Sequence, residues 1–326
     1  MDDARDGREL VMQCLVRTRE AGMTLLAFLT ARFRYRAQDE WAAAISEGRV
    51  AIDGRPATAE QVVNRGTTVA TRQMVREPPA PTTIRIVHDG DGIVVVDKPA
   101  GLPFHADGAF VTRTLVARAR KLCGEGLLPL HRLDRETSGL CFFARNAATA
   151  RSLRAAMDVD AIAKGYDAIV SGVIAEPSLV LDAWIGRDPD SAIDLRRAAL
   201  PPGTAGARSA RTEVEVAARG PSATLVRCTL RTGRTHQIRV HLAGIGHPVM
   251  GDKLYGRSDA EYLAWVAHVK ARGDAAWGGR LGAPRQMLHA ARLRLPGDGT
   301  RGDLEFEAPW PADFAELARA QGLSAP

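Results

Sequence analysis

A ten-residue segment near the middle of the chain combines residue types that can do chemistry, and it reads His131-Arg132-Leu133-Asp134-Arg135-Glu136-Thr137-Ser138-Gly139-Leu140. Positive charge on nearby arginines stabilises a carboxylate and lowers its pKa, so Asp134 is expected to be ionised. An ionised carboxylate can act as a nucleophile or as a base. The plainer interpretation is a surface ion pair in a turn before a strand, because structural ion-pair networks also perturb carboxylates.

The segments around Asp134 predict a catalytic domain of mixed α+β class. Short apolar or β-branched runs predict strands at 84–87, 93–96, 166–170, 212–216 and 223–230, with residues 232–243 also strand-like. Helices are predicted at 111–122 and 147–157, and a capping box of Ser258 and Glu261 predicts a third that ends near 272. Residues 187–210 are interpreted as a mobile loop. Strands that are interrupted by a few helices in this way favour a largely antiparallel sheet.

A smaller unit precedes this domain. Apolar residues near helical spacing predict two helices, around 25–29 and 41–45, and the alternation of Val50 and Ile52 before the Asp53-Gly54 turn predicts a short strand. The resulting domain boundaries are a charged, poorly ordered or peripheral extension at 1–20, a small α/β domain at 21–77, a proline-rich linker at 78–83 and the catalytic domain at 84–326.

Length, charge and composition limit the class of protein. The chain has 326 residues, which is enough for two domains, and its net charge of +6 is compatible with a polyanionic partner. It lacks a long charge-free apolar run, so no membrane partner is expected. The acidic N-terminus lacks the apolar segment of a secretory signal, which favours a cytoplasmic location. The four cysteines are scattered, so neither a zinc site nor a disulfide framework is expected. A monomer is the expected state, although no residue pattern bears on it.

The motif around Asp134 resembles the signature of the RluA-type pseudouridine synthases. Further segments resemble the same family in the same order, at residues 94–102, 163–170, 232–243 with 246–256, and 288–290. Together these motifs span roughly residues 84 to 310, and such a collinear series is not a plausible accident. The small N-terminal unit resembles the S4-like RNA-binding domain that often precedes this catalytic domain. In that domain Arg32, Arg34, Arg36, Arg49 and Arg55 would form the phosphate-facing surface.

The resemblance implies three catalytic residues, Asp134, Tyr166 and Arg239. Asp134 matches the nucleophile, which attacks either the ribose or the base. Arg239 matches the arginine that pairs with this aspartate, and two parallel hydrogen bonds would fix the orientation of the carboxylate. Tyr166 matches the active-site tyrosine, whose ring can stack on uracil and whose hydroxyl can act as a donor or a weak base. Without the resemblance, Arg239 would be read as a structural salt bridge and Tyr166 as a core residue.

The resemblance also implies a substrate-binding set, which consists of His131, Arg132, Lys98, Lys164, Arg234 and Ile238. Arg132 would fill the gap that a flipped-out uridine leaves in an RNA helix, and His131 would shape the loop. Lys98 would present a charge near the cleft. Lys164 shares the face of Tyr166 by strand alternation and would contact phosphate, with a solvated lysine as an equal interpretation. Arg234 and Arg239 are five residues apart in a strand-like segment and should point to opposite faces, so Arg234 is assigned to RNA contact or to sheet support.

No cofactor and no metal are expected. Pseudouridine formation is a net isomerisation, which requires neither. His236, His241 and His247 invite a metal interpretation, but no cysteine or carboxylate recurs beside them at ligand spacing.

The predicted function is therefore an RNA pseudouridine synthase. Its RNA partner is expected to be large-subunit ribosomal RNA, because the pairing with an S4-like domain resembles the ribosomal members of the family. The alternatives are a transfer-RNA pseudouridine synthase and a non-catalytic RNA-binding protein of ribosome assembly. A glycoside hydrolase is a further rival, but it normally needs two carboxylates that flank the scissile bond.

Overall fold

A computed structural model describes residues 8–33, 36–75, 77–107, 110–272, 281–297 and 302–324. The chain divides into two compact units. The first unit extends to Pro79 and includes His105–Arg113, and the second comprises Ala80–Phe104 and the chain from Thr114 onward.

The first unit consists of two helices packed on a small sheet. Its helices are α1 (Leu25–Arg32) and α2 (Gln38–Ser46), and its strands are β1 (Arg8–Leu15), β2 (Val50–Ile52), β3 (Arg55–Pro56) and β4 (Thr68–Val75). The strands pair antiparallel in the order β1-β4-β2-β3. Leu25, Phe28 and Trp41 form the centre of its core and are fully buried.

Strand β1 lies within residues that the sequence predicts to be poorly ordered or peripheral. Its eight residues pair with β4 along their whole length, so that prediction is wrong for Arg8–Leu15; residues 1–7 lie outside the described part of the chain. The strand alternates between half-buried and exposed positions, as a sheet edge does. Its partner strand lies more than fifty residues away in sequence, which is why the charged composition of residues 1–20 did not predict a strand.

The second unit is built on a large sheet. Its strands are β5 (Arg85–Gly90), β6 (Ile93–Lys98), β7 (Leu128–Pro129), β8 (Ser138–Ala144), β9 (Ala163–Ser171), β10 (Ser178–Arg187), β11 (Arg197–Leu200), β12 (Arg208–Arg219), β13 (Ala223–Leu230), β14 (Leu288–Leu295) and β15 (Leu304–Glu307). The central order is β11-β10-β12-β13-β9-β14-β8-β6-β5, with β15 beside β14 and β7 beside β8. Among these described strands only β14 and β8 pair in parallel. The predicted α+β class with a mixed, largely antiparallel sheet is confirmed.

The helices of this unit are α3 (Leu115–Cys123), α4 (Ala147–Asp158), α5 (Gln237–Gly244), α6 (Asp259–Arg272) and α7 (Ala312–Ala320). They cover both faces of the sheet. Val94 and Val96 of β6 belong to the core that includes α3, α5 and α7 residues, whereas Ile93 and Val95 belong to the core on the other face, beside α4. Burial on both faces explains the unbroken apolar runs of β6 and β8.

Two of the sequence motifs meet where β8 begins. Gly139 of the Asp134 motif lies directly opposite Ala290 of β14, and its φ is 107°. A Cβ at Gly139 would collide with the Ala290 carbonyl oxygen, so only glycine fits there. Ser138 donates from Oγ to Nδ1 of His289, 2.9 Å away, and His289 Nε2 donates to the Ala308 carbonyl.

Two further predictions about elements have clear outcomes. The capping box is present: the Ser258 amide donates to the Glu261 carboxylate at 2.8 Å, and the Glu261 amide donates to the Ser258 hydroxyl at 3.2 Å. The predicted loop at 187–210 is wrong in part, because Arg197–Leu200 forms β11 and pairs with β10.

Within the described residues, no helix is both long and apolar enough to cross a membrane.

Candidate active site

Eight of the nine site residues predicted from the sequence line one cavity of about 340 Å³ in the second unit. They are His131, Arg132, Asp134, Lys164, Tyr166, Arg234, Ile238 and Arg239. They come from three separated stretches of sequence: the loop between β7 and β8, strand β9, and α5 with the loop before it.

Lys98 is the ninth, and the structure does not place it at the cavity. Its side chain is fully buried, and Nζ donates to the carbonyls of Pro99, Leu102 and Arg135, each at 2.9 Å. Burial lowers the pKa of this ammonium to about 7. A saturated, buried ammonium has no donor left for RNA, so the predicted substrate contact is wrong. Lys98 instead ties the end of β6 to the loop that carries Asp134.

That loop is held from several sides. The Thr137 amide donates to the Asp134 carbonyl at 3.2 Å, and the Gly101 amide donates to the Arg135 carbonyl at 2.8 Å. Glu136 accepts from Nζ of Lys253 with both oxygens, at 2.6 and 2.7 Å. The Asp134 side chain therefore projects from a backbone that has little freedom to move.

Arg239 contacts Asp134, but with one hydrogen bond and not with the two that were predicted. Its Nη1 donates to Asp134 Oδ2 at 2.7 Å. The two parallel bonds go to Asp252, from Nε at 2.6 Å and from Nη2 at 2.8 Å. Asp252 also accepts the backbone amides of Leu254 and Tyr255. Asp252 thus fixes the Arg239 guanidinium, which contacts Asp134 through Nη1 alone. Oδ1 of Asp134 therefore makes no bond to Arg239.

The segment that carries Arg239 is a helix, so the strand-like interpretation of residues 232–243 is wrong. Ile238 and Val240 favour strands locally, but the residues from Gln237 to Leu242 are all buried, and packing on every side overrides that preference. His236 precedes the helix in the left-handed region, with φ 59°. As a consequence Arg234 and Arg239 line the same cavity instead of pointing to opposite faces.

Gln237 fixes the loop before this helix. Its carbonyl oxygen accepts from the Thr232 hydroxyl at 2.8 Å and from the Arg234 amide at 3.0 Å. Its amide donates to the Arg211 carbonyl and to the Thr212 hydroxyl. A single buried side chain thus connects the Thr232–Arg234 turn to β12.

Electrostatics favour an ionised Asp134. Burial alone would raise the pKa of this carboxyl, but the charge and hydrogen bond of Arg239 outweigh burial and hold the pKa below its ordinary value. The same competition lowers the pKa of Asp252, and the two carboxylates together raise the pKa of Arg239. The Asp134 side chain keeps 22 % exposure, so a ligand in the cavity can reach it.

His236 lines the cavity beside Asp134, and Tyr255 contacts it from behind. The Arg197 amide donates to the Tyr255 hydroxyl at 3.0 Å, and that hydroxyl lies 2.8 Å from His236 Nδ1. Burial raises the pKa of Tyr255 and lowers the pKa of His236 to about 4, so both are neutral near pH 7. The phenol then donates to Nδ1, which leaves the His236 proton on Nε2, 3.8 Å from Asp134 Oδ1. The Tyr255 ring also lies against the Arg239 guanidinium, with 4.9 Å between Cζ and the ring centroid.

Tyr166 and His131 form apolar walls of the cavity. Tyr166 is 6 % exposed, and burial raises the pKa of its phenol, which therefore keeps its proton and acts as a donor near pH 7. Burial, followed by the charge of Lys164, lowers the pKa of His131 to about 3. Neutral His131 accepts the Phe142 amide at Nε2, 3.2 Å away, which fixes the imidazole and supports the predicted loop-shaping function.

The three histidines that invited a metal interpretation lie in separate places. His241 Nδ1 contacts the Thr212 hydroxyl, and His247 Nδ1 contacts the Ser171 carbonyl, whereas His236 contacts Tyr255. In the part of the chain that the structure describes, no group of three or more His, Cys, Asp or Glu residues could hold a metal ion.

The sequence did not single out Arg208, which lines the cavity, or Asp252 and Tyr255, which contact the lining residues Arg239 and His236. Asp252 and Tyr255 belong to the 246–256 motif, but nothing in their spacing from Arg239 indicates contact. Arg208 lies in the segment interpreted as a mobile loop, and only the pairing of β12 with β10 places it at the cavity.

Chemically, the cavity presents an ionised, partly exposed carboxylate that Arg239 binds through one oxygen, together with a protonated phenol. Such a site can attack an electrophilic carbon and later release it, and the phenol can stack on a flat ring.

Comparisons with known proteins place the chain among RNA pseudouridine synthases. The family described as RNA pseudouridylate synthase matches residues 92–244. The ribosomal large subunit pseudouridine synthase D of Nitrosomonas europaea is 32% identical over 286 residues, which cover 85% of this chain and 78% of the relative. An uncharacterized RNA pseudouridine synthase of Chloroflexus aurantiacus is 35% identical over 289 residues, covering 84% of this chain and 82% of the relative. Among solved structures, human RNA pseudouridylate synthase domain containing 4 superposes with a TM-score of 0.57 at 28% identity and covers 74% of this chain and 94% of its own.

Proposed function

This chain belongs to the RNA pseudouridylate synthase family and is an isomerase that acts on RNA, and from that premise we propose that it modifies large-subunit ribosomal RNA with Asp134 as its nucleophile. The ribosomal assignment is supported by the relative from Nitrosomonas europaea, whose name specifies the large ribosomal subunit. A cytoplasmic location belongs to the same proposal, since a ribosomal substrate is encountered in the cytoplasm. A monomeric state is proposed with it.

The observation that carries the nucleophile assignment is the asymmetric environment of Asp134. Arg239 holds Oδ2 at 2.7 Å and makes no bond to Oδ1, and the side chain, which is 22 % exposed, lines a cavity large enough for a nucleobase. The reaction breaks the bond between ribose C1′ and uracil N1, rotates the free base and joins C1′ to C5. The proton that C5 loses is balanced by the proton that N1 gains, so the product is an isomer of the substrate. Asp134 can enter by attacking the ribose or the base, and in both routes it leaves as a free carboxylate.

Arg239 and Tyr166 support this step in different ways. Arg239 keeps Asp134 ionised and oriented, with the guanidinium itself fixed by Asp252. Tyr166 offers a ring on which the detached uracil can stack and a protonated hydroxyl that can donate to it. The site therefore retains the base between bond cleavage and bond formation.

The uridine has to leave its helix to reach Asp134, at a cost of a few kcal/mol. Arg132 is exposed and lines the cavity, two residues from Asp134 in sequence. Its planar head group suits stacking in the position that the uridine leaves. Lys164 and Arg234 are proposed as RNA contacts, and Ile238 as the apolar wall beside the base.

The first unit is proposed as an S4-like RNA-binding domain. Its two helices on a small antiparallel sheet and its exposed Arg55 support this proposal. Of the other predicted phosphate contacts, Arg32 pairs with Glu20 and Arg49 pairs with Glu47, whereas Arg36 lies over the Trp41 ring. Arg34 lies outside the described residues.

The geometry disfavours a glycoside hydrolase. That chemistry needs a second carboxylate that is free to act as an acid or a base. Glu136 is held by Lys253 through both oxygens, and Asp252 is occupied by Arg239 and two backbone amides. Asp134 is thus the accessible carboxylate among the described residues that line the cavity.

The test is pseudouridine mapping of ribosomal and transfer RNA from a strain that lacks the gene, complemented with wild type or with Asp134→Asn. We expect a site in large-subunit ribosomal RNA to vanish and to return with wild type only. A site that vanishes from transfer RNA instead would overturn the ribosomal assignment. Restoration of the site by Asp134→Asn would overturn the nucleophile assignment.

A further inference from the structure

Three cationic side chains that do not contact Asp134 line the cavity, Lys164, Arg208 and Arg234, and we call them the cationic rim. They come from β9, from the start of β12 and from the loop before α5. Their charges have no partner: within the described part of the chain, no carboxylate forms an ion pair within 4.0 Å with any of the three.

Arginines next to the cationic rim behave differently. Arg211, three residues after Arg208 on β12, pairs with Asp182 at 3.5 Å, and Arg231 pairs with Glu213 at 2.9 Å. The absence of an ion pair thus distinguishes the cationic rim from the arginines that lie next to it.

The three cations are close enough to repel one another. Burial first, and then the charge of Arg208, lowers the pKa of Arg234, and the charge of Asp160 opposes this effect. Burial likewise lowers the pKa of Lys164; Arg234 adds to this effect, and Asp160 opposes it. Like charges held together without an ion-pair partner destabilise each other, so an anion bound among them would be stabilised by all three.

The fold holds the rim in place. Arg234 Nε donates to the Ser209 carbonyl at 2.8 Å, which brings its guanidinium beside the residue that follows Arg208. That bond uses Nε and leaves the two terminal nitrogens of Arg234 available for a planar, two-point contact. Lys164 lies on the same strand as Tyr166, two residues away, so both side chains face the cavity.

We propose that Arg208, together with Lys164 and Arg234, binds one phosphodiester of the RNA strand next to the uridine that enters the cavity. This subsite rests on the proposed function, because it presumes that the uridine reacts at Asp134. A phosphodiester fits better than a nucleobase, because the three groups are donors with positive charge, and guanidinium groups match phosphate oxygens in geometry. The negative Asp134 in the same cavity repels phosphate, which favours binding of the phosphate at the cationic rim.

The experiment compares Arg208→Gln with a matched control, Arg211→Gln, on a short substrate RNA in steady-state kinetics and in binding at several salt concentrations. For Arg208→Gln we expect KM to rise about 10-fold with kcat within about 2-fold, and the slope of log K against log salt to fall by about one. Arg211→Gln should match wild type in all three quantities, because its partner is Asp182. Arg208→Lys keeps the charge and should keep the wild-type salt slope, which separates a phosphate contact from a fold defect.

The second part of the experiment replaces single phosphates near the target uridine with neutral methylphosphonates. At one position the replacement should weaken binding of wild type more than Arg208→Gln does, because the phosphate there contacts three cations, and it should cost Arg208→Gln clearly less than it costs wild type. Losses that add at every position, or an Arg208→Gln variant that behaves like Arg211→Gln, would overturn the subsite. Turnover retained by Asp134→Asn in the same assay would contradict the nucleophile assignment instead, so the two failures are distinguishable.

Discussion

Two groups of charged residues in the cavity differ in whether the protein itself supplies their partners. At the carboxylate end, formed by Asp134, His236 and Arg239 with Asp252 behind them, each charged group has a partner within the protein. At the cationic rim, no ion pair joins Lys164, Arg208 or Arg234 to a described carboxylate. Groups that react need a fixed orientation before the substrate arrives, so the protein supplies their partners. Groups that bind a polyanion gain more when the ligand supplies the missing charge.

The largest effect should come from Asp134→Asn in purified protein. The substitution keeps the shape of the side chain and removes the nucleophilic charge, so kcat should fall on the order of 10⁴-fold or more. The Kd for substrate RNA should stay within about 3-fold, because phosphate contacts dominate affinity. Single-turnover kinetics and filter binding measure the two quantities. A large loss of binding would show that the two ends are not separate in function.

The second effect should come from Asp252→Asn, which leaves Arg239 without its two-point partner. Breaking a buried ion pair should lower the free energy of unfolding by about 3 kcal/mol. Misplacing a catalytic group by about 1 Å costs roughly 100-fold, and we expect kcat to fall by about that factor. KM should stay near wild type, because the cationic rim is unchanged.

Asp182→Asn is the matched control for that variant, since it breaks the exposed pair with Arg211 at 3.5 Å. It should change both stability and kcat very little. Equal losses in the two variants would mean that Asp252 has no special function in orienting Arg239.

A smaller effect is expected from Tyr166→Phe. The ring that stacks on uracil is kept, and one hydrogen bond is lost, so kcat should fall by roughly 10-fold with KM unchanged. Because burial raises the pKa of Tyr166, the wild-type rate should show no loss near pH 9 from this group. A wild-type rate that falls between pH 8 and 9, and a Phe variant that lacks that fall, would show that the hydroxyl acts as a base instead.

The last prediction concerns the dependence of stability on pH. In the folded protein the pKa of His131 is about 3 and that of His236 about 4, both below the ordinary value near 6.5. Between about pH 6.5 and 4 the unfolded chain takes up protons that the folded protein does not, so stability is lost as pH falls through this window, by up to about 1.4 kcal/mol per pH unit for each histidine. Urea unfolding at pH 7, 6 and 5 measures the slope, and His236→Gln should make it shallower. An unchanged slope would mean that His236 is protonated in the folded state.

Much of the fold could be predicted because its signals are local. Val94, Val95 and Val96 form an apolar run that predicts a buried strand, and Ser258 with Glu261 predicts the start of α6. Strand β1 and the short β11 could not be predicted in this way, since each depends on a partner that is distant in sequence or weakly patterned. Helix α5 could not be predicted because polar and apolar residues alternate from Gln237 to Leu242, which is the period of a strand, whereas in the structure all six are buried in a helix.

For the site, residue types and the family resemblance are enough to predict the catalytic set of Asp134, Tyr166 and Arg239. Tertiary structure alone decided which carboxylate receives both bonds of Arg239, that Lys98 is buried among carbonyls, and that Arg208 lies beside Arg234. The physical reason is that charge and hydrogen-bonding capacity belong to a residue type, whereas the partner that satisfies them is chosen by distances of a few ångströms between segments far apart in the chain.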